Sequence, residues 1–344
     1  MNTSHSNMKK NPTETITPTN SHGTKKRIAY LDFVKVFAMF IVTIGHCAQS
    51  LSCELFPEKI IPNDFFVTIH MPLFMMASGF VLNIERIRET PFMHYVMGKF
   101  YRLVIPMVTW YIILCATTLT TPCVSGVLNT YWYLAALFAS LVIIKIFSSF
   151  ISNNILFWAI SLLFVIAMPL TQISFVNFMF PFLLYGYALR RFIDKINFSY
   201  GVLPTALIFF GLYIGLWSIS HTIYLAPLRI LQIDGDMIYS FFLRLLIGIT
   251  GSTMIFFIAK HFDNTPFVQA IAKYGNYTLI FYTMTTVLNG ITLKILSYVG
   301  INIAHPLLLD VASIIFTIFQ MYIIYIFAKL VERNKIASRL LLGN

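Results

Sequence analysis

The chain has 344 residues, of which 58% are hydrophobic and 11% charged, against roughly a quarter charged in ordinary soluble domains. That composition cannot cover a water-facing surface, and the long apolar blocks recurring from Ile28 to Leu330 exclude the soluble, fibrous and disordered classes. The formal charge of +11 would point a soluble protein to nucleic acid, but here the basic residues fall between apolar blocks, so the charge reads as topogenic and no nucleic-acid partner is expected.

Residues 1–26 are polar and lack apolar periodicity, and are expected to form a disordered cytoplasmic tail. The first apolar block is too long for a signal peptide and carries Asp32, Lys35 and His46 with no small-residue cleavage pattern behind it. It is expected to persist as the first of about ten spans: 28–50, 64–84, 100–120, 131–147, 155–170, 175–190, 201–220, 238–259, 274–296 and 307–329. The blocks run near twenty residues without the period-two alternation of a barrel, so the fold class is all-α, a polytopic membrane helical bundle over 27–332 followed by a short cytoplasmic tail, 333–344. The stretch 131–190 is short-spanned, and a merged or re-entrant pair there would change the number. With the N-terminus inside, nineteen of the 24 Lys and Arg residues lie in cytoplasmic segments. Only Lys59 and Arg229 fall in outer loops, which places both termini in the cytoplasm. No internal repeat or inverted-half symmetry is evident, which disfavours the common transporter folds.

Ionisable groups inside spans are costly, so they lead the search for a site. In the first span Asp32, Lys35 and His46 share one helical face, within an arc of about 60°, with His46 about 16 Å beyond Lys35 along the axis. Asp32 and Lys35 are one turn apart and read either as a structural pair at the interface or as part of a site. The second span carries Thr68, His70, Ser78 and Gly79; Pro72 frees a backbone acceptor that His70 would satisfy, or His70 belongs to a site. Ser78-Gly79 permits close helix approach. The third span opens on Lys99-Phe100-Tyr101-Arg102, two cations at i and i+3 that serve topology or anchor a phosphorylated cytosolic ligand. Cys47, Cys53, Cys115 and Cys123 all fall at or beyond outer ends of spans, leaving a disulfide in any of three pairings, or free thiols, open. No Cys-x-x-Cys or His cluster with zinc spacing is present, and no metal is expected. Near the outer ends of late spans, Arg244, Lys294 and Asp310 either line a cavity or, for Lys294 and Asp310, form a structural pair.

Together these residues resemble the acyltransferase-3 family of integral-membrane O-acyltransferases. The first span, Tyr30-Leu31-Asp32 through Lys35 to His46, is similar to the family's opening pattern of a basic residue followed by His. His70-Met71-Pro72-Leu73-Phe74 with Ser78-Gly79-Phe80 is similar to the branch that modifies cell-envelope glycans. Lys99, Arg102 and Pro106 resemble its third-span motif, Trp132-Tyr133-Leu134 the start of its fourth span, and weaker likeness runs through Gly275, Thr278, Leu279 and Tyr282. Two positions depart: Lys35 stands where many members carry Arg, and Thr285 where many place a second late His. The resemblance implies transfer of an acyl group, usually acetyl, from cytosolic acetyl-CoA or another acyl-CoA to a hydroxyl of a glycan or lipid-linked sugar. The implied location is a bacterial inner membrane.

On that reading no cofactor is bound, and acyl-CoA is a substrate. Lys35, Lys99 and Arg102 hold the donor, while His46, with Asp32 and His70, carries the chemistry, as general base or through an acyl-His. Trp132, Arg244, Lys294 and Asp310 are candidates for the acceptor cavity. A homo-oligomer or envelope-polymer assembly proteins are the implied partners. A glycan or proton-coupled transporter is the competing class, and an assembly scaffold the third.

Overall fold

The computed structural model describes residues 27–54, 57, 59, 67–167, 176–193, 201–219 and 235–343, the side chains of 235–238 excepted. The expected N-terminal tail 1–26, Arg229 and the gap 171–174 lie outside them. Among the described residues every regular element is helical. In chain order the helices are α1 (Ala29–Ser52), α2 (His70–Phe80), α3 (Ile84–Glu89), α4 (Phe92–Lys99), a π turn (Phe100–Val104), α5 (Ile105–Thr118) and α6 (Val124–Thr130). They continue as α7 (Trp132–Phe150), α8 (Asn154–Ala167), α9 (Val176–Ile193), α10 (Val202–Ile219) and α11 (Gly235–His261). The last are α12 (Pro266–Ala272), a 3-10 turn (Lys273–Tyr277), α13 (Thr278–Val299), α14 (Pro306–Val331) and α15 (Lys335–Leu341).

Seven described segments are long and apolar enough to cross a membrane: Ala29–Ser52, Phe92–Thr118, Trp132–Phe150, Val202–Ile219, Tyr239–His261, Pro266–Val299 and Pro306–Val331. The other three expected spans are helical as well, but α2 has 11 residues and α8 has 14, while α9 carries Pro181 and ends on Arg190 and Arg191. The count of ten is therefore approximate. Two local expectations change. The third span begins at Phe92, eight residues before the expected start, so Lys99 and Arg102 sit inside it and not at its edge, Lys99 at the end of α4 and Arg102 within the π turn that leads into α5. Pro72 does not interrupt a helix: α2 starts at His70, after the turn residues Thr68 and Ile69, and in a first turn a missing N–H costs little.

The core of the bundle is largely apolar, but α14 is polar on its buried face and apolar on its exposed one, as lipid requires. On α14 the buried face holds Asp310, Ser313, Thr317 and Gln320, and the exposed face Ile315, Ile318, Phe319 and Tyr322; water would reverse that assignment. α1 is the central helix, packed against α2, α11, α12, α13 and α14. α2 and α9 meet backbone to backbone: a methyl group at Gly79 would overlap the Leu183 carbonyl, and one at Gly186 the Met76 carbonyl. This is the close approach that small residues permit between membrane helices.

At the α3 end of the bundle two cations cap helix termini. The buried Lys145 ammonium donates to the carbonyls of Ile87 (2.8 Å) and Thr90 (2.6 Å), satisfying acceptors freed where α3 ends. Arg88 donates in return to Ser148 and Ile151 carbonyls at 3.2 and 3.1 Å, where α7 ends. The last helix, α15, is packed against α5, with the Trp110 indole donating to the Leu341 carbonyl at 3.0 Å. All four cysteines are free thiols, Cys47 and Cys115 buried and Cys123 exposed.

Candidate active site

Helix periodicity places Asp32, Lys35, Met39, Val42, His46 and Gln49 on one stripe of α1, at alternating steps of three and four residues. The structure gives that stripe three cavities, one toward its N-terminal end and two around His46. Toward the N-terminal end of α1, a cavity of about 490 Å³ is lined by Asp32, Lys35, Met39, Lys99 and Arg102, with Ser78 and Tyr133 opposite and Gly275, Thr278 and Tyr282 closing one side. The three cations named for the donor thus converge from two helices that are far apart in sequence. Asp32 accepts from Arg27 at 2.9 Å and pairs with Lys35 at 3.4 Å, so it has two cationic partners where the sequence showed one. Gly275 is required beside it, since a Cβ there would stand 2.6 Å from the Asp32 Cβ.

A second carboxylate, Glu332, also lines this cavity. It is held by the Tyr277 hydroxyl at 2.9 Å and Lys329 at 3.1 Å. With three cations and two carboxylates on the wall, Asp32 shared between Lys35 and Arg27 and Glu332 held by Lys329 and Tyr277, the surplus is positive. Glu332 escaped the sequence reading because it follows the last expected span, where a single polar residue is ordinary, and Tyr277 because a tyrosine near the start of a span reads as an interfacial ring.

Toward the other end of α1, His46 lines two further cavities, of about 330 Å³ and 190 Å³. The larger is bounded by Gln49, Ser50, Glu54, Thr286 and Asn289. The smaller brings His46 together with His70, Trp132 and Lys59. Gln49 Oε1 lies 3.0 Å from His46 Nδ1; an amide oxygen accepts, so Nδ1 carries the proton and Nε2 the lone pair. Gln49 was not among the expected residues, although its place three residues beyond His46 on the same stripe was a usable signal. Met71 lines both the cationic cavity and the smaller His46 cavity, so the two share a wall.

Asp32 lies about 21 Å along α1 from His46 at 1.5 Å per residue, and it faces the cationic cavity. It accompanies Lys35, then, and Gln49 orients His46. The late-span group does not assemble. Arg244 lies over the Phe178 ring at 4.6 Å, and Lys294 donates to the Thr118 carbonyl at 3.2 Å. The alternative pairing of Lys294 with Asp310 is replaced by Asp310 with Lys59, at 3.4 Å. The reason is reach: α14 turns Asp310 toward the chain between α1 and α2, while Lys294 faces α5. Of the four acceptor candidates Trp132 lines a His46 cavity, and Asp310 touches it through Lys59. Behind this site Thr285, at the position where a second late His was looked for, is buried, and Gln320 Nε2 donates to Asn289 Oδ1 at 2.8 Å. Among the described residues no group of His, Cys, Asp and Glu is placed to hold a metal ion.

Comparison with known proteins shows the family. Residues 28–326 match the acyltransferase-3 family, described as an acyltransferase domain. The chain is similar to nodulation protein NolL of Sinorhizobium fredii, 28% identical over 194 residues that cover 51% of the chain and 52% of the relative. It is also similar to NolL of Mesorhizobium japonicum, 29% identical over 154 residues and 40% of each chain. The chain thus spans about half the length of the curated relatives it matches. No solved structure matches.

Proposed function

The chain belongs to the acyltransferase-3 family of membrane acyltransferases, and from that premise we propose that it moves an acyl group, acetyl first among candidates, from cytosolic acyl-CoA to a hydroxyl of a cell-envelope glycan or lipid-linked sugar. The observation that carries this reading is the single stripe of α1, which lines a cationic cavity at one end and a histidine cavity at the other, with Met71 on the wall common to both. Acyl transfer across two compartments needs that pair: cations for the phosphates of the donor, and an imidazole base for the acceptor hydroxyl.

In this proposal Lys35, Lys99 and Arg102 bind the phosphates of CoA, Asp32 and Arg27 hold Lys35 in place, and the pantetheine arm passes Met71. His46 Nε2, freed by the Nδ1–H bond to Gln49, takes the proton of the acceptor hydroxyl as its oxygen attacks the thioester carbon. The C–S bond then breaks and the thiolate receives that proton. His70 and Trp132 contact the acceptor in the same cavity. The protein resides in a bacterial cytoplasmic membrane with both termini in the cytosol, so that the cationic cavity faces the donor pool. A transporter would centre its ionisable groups on one midplane site, whereas here the cations gather in a cavity toward the N-terminal end of α1, apart from the cavities that His46 lines.

The test is purified protein given a radiolabelled acetyl donor. His46→Ala should stay inserted and monodisperse, and its rate should fall by about a hundredfold to ten-thousandfold, as for a lost general base. Transfer by that variant at the wild-type rate would overturn the assignment and make His70 the next base to test.

A further inference from the structure

Lys59 is one of the two basic residues placed outside by the topology, and such a residue is expected in water. Its side chain is instead 2% exposed, paired at 3.4 Å with an Asp310 side chain that is 9% exposed. It lines the 190 Å³ cavity together with His46, His70, Gln49 and Trp132. Apart from these, that wall is built of aliphatic groups such as Ile41, Val42 and Val67. Among the described residues lining the cavity, Lys59 carries the permanent positive charge.

Burying an ion pair is rarely a stability device, because desolvation offsets most of the attraction. A charge kept beside a candidate base calls for a charge that develops there. We infer that Lys59 is a catalytic residue that stabilises the oxyanion of the transfer step, and that Asp310 is a positioning residue holding its ammonium at the cavity wall. The inference rests on the acyltransferase reading of the same site. As the acceptor oxygen forms its bond to the thioester carbon, the hydroxyl proton passes to His46 Nε2 and the carbonyl π electrons move onto oxygen, giving a tetrahedral oxyanion. Collapse restores the C=O bond, breaks the C–S bond and returns the proton from His46 to the departing thiolate. The negative charge exists only between those two events. A preorganised cation in a water-poor cavity therefore lowers the barrier without tightening ground-state binding. Lys supplies three N–H donors, and the Asp310 contact engages one side of the ammonium, so the pair need not break for an oxyanion to be bound.

The competing explanation is that the pair merely pins the chain between α1 and α2 to α14. Lys59→Met, Asp310→Asn and the double variant Lys59→Met/Asp310→Asn separate the two, since the double variant leaves no unpaired buried charge. Each full-length chain in lipid nanodiscs is given acetyl-CoA with a panel of methyl hexopyranosides or water as acceptor, and CoA release is followed. The expected result is a double variant that melts at the wild-type temperature and binds acetyl-CoA within about twofold of wild type, with turnover lower by about a hundredfold to a thousandfold, the cost of a lost oxyanion donor. Asp310→Asn should lower turnover less than Lys59→Met does, with the Michaelis constants of both substrates held. A double variant that turns over within threefold of wild type would overturn the inference and leave a structural pair. Wild-type protein that releases no CoA with any acceptor would instead overturn the transferase reading, and the inference with it.

Discussion

Replacing Gln49 by Met removes the acceptor that faces His46 Nδ1 while keeping side-chain length and an apolar fit. The contact is a neutral hydrogen bond of 3.0 Å, and such a bond contributes about 0.5–1.5 kcal/mol net. If that energy is spent on holding one tautomer and ring orientation, its loss raises the barrier by the same amount, and turnover falls by about twofold to tenfold. The effect should be far smaller than that of His46→Ala, because the base itself survives. It should also fall on turnover alone: Gln49 borders the two His46 cavities and not the cationic one, so the Michaelis constant for acetyl-CoA should hold. Steady-state kinetics with the donor varied at saturating acceptor read both quantities. A Gln49→Met protein that kept wild-type turnover would refute the orienting role. One that lost donor affinity instead would show that the two ends of α1 are not separate sites.

Lys99→Gln and Arg102→Gln should raise the apparent Michaelis constant for acetyl-CoA more than they lower turnover, because both line the cationic cavity away from His46; the reverse split, read from the same kinetics, would move them into the chemical step or the fold. Lys35→Arg should keep activity, and Lys35→Ala should weaken donor binding, measured by calorimetry, without unfolding the protein, because Arg27 still pairs with Asp32. In the loop between α5 and α6, the exposed Cys123 thiol is drawn below its ordinary pKa by hydrogen bonds from Ser125, the Gly126 N–H and the Tyr111 hydroxyl. The thiolate therefore persists to lower pH than in an ordinary cysteine. With the other three cysteines replaced by serine, an impermeant maleimide should label Cys123 from outside intact cells, and Ser125→Ala should move the pH midpoint of labelling upward. Labelling confined to inside-out vesicles would reverse the topology. Gly186→Ala puts a methyl group into the Met76 carbonyl, a backbone contact that cannot swing away, and should destabilise by about 1–3 kcal/mol; a detergent-solubilised variant melting with wild type would contradict the close helix contact.

Membrane class, helical content and the stripe of α1 were all legible in the amino-acid order, because each depends on local quantities: apolar run length, and the 100° turn that brings Asp32, Lys35, His46 and Gln49 to one face. The convergence of Lys35 with Lys99 and Arg102 could be read only through resemblance, since the two segments are joined by packing and not by periodicity. Lys59 shows where local reading ends. Counted along the chain it is an outer-loop cation, and counting cannot tell that α14 carries an aspartate to meet it or that its side chain closes a cavity on His46. The same holds for Glu332, which enters the cationic cavity because α14 overruns the last expected span and the 3-10 turn brings Tyr277 against it. Which ionisable groups exist within a bilayer follows from composition and spacing. Which of them face one another follows from how the helices pack, and that is settled by side-chain volume and close contacts such as Gly79 on Leu183, which couple residues across a hundred positions of chain.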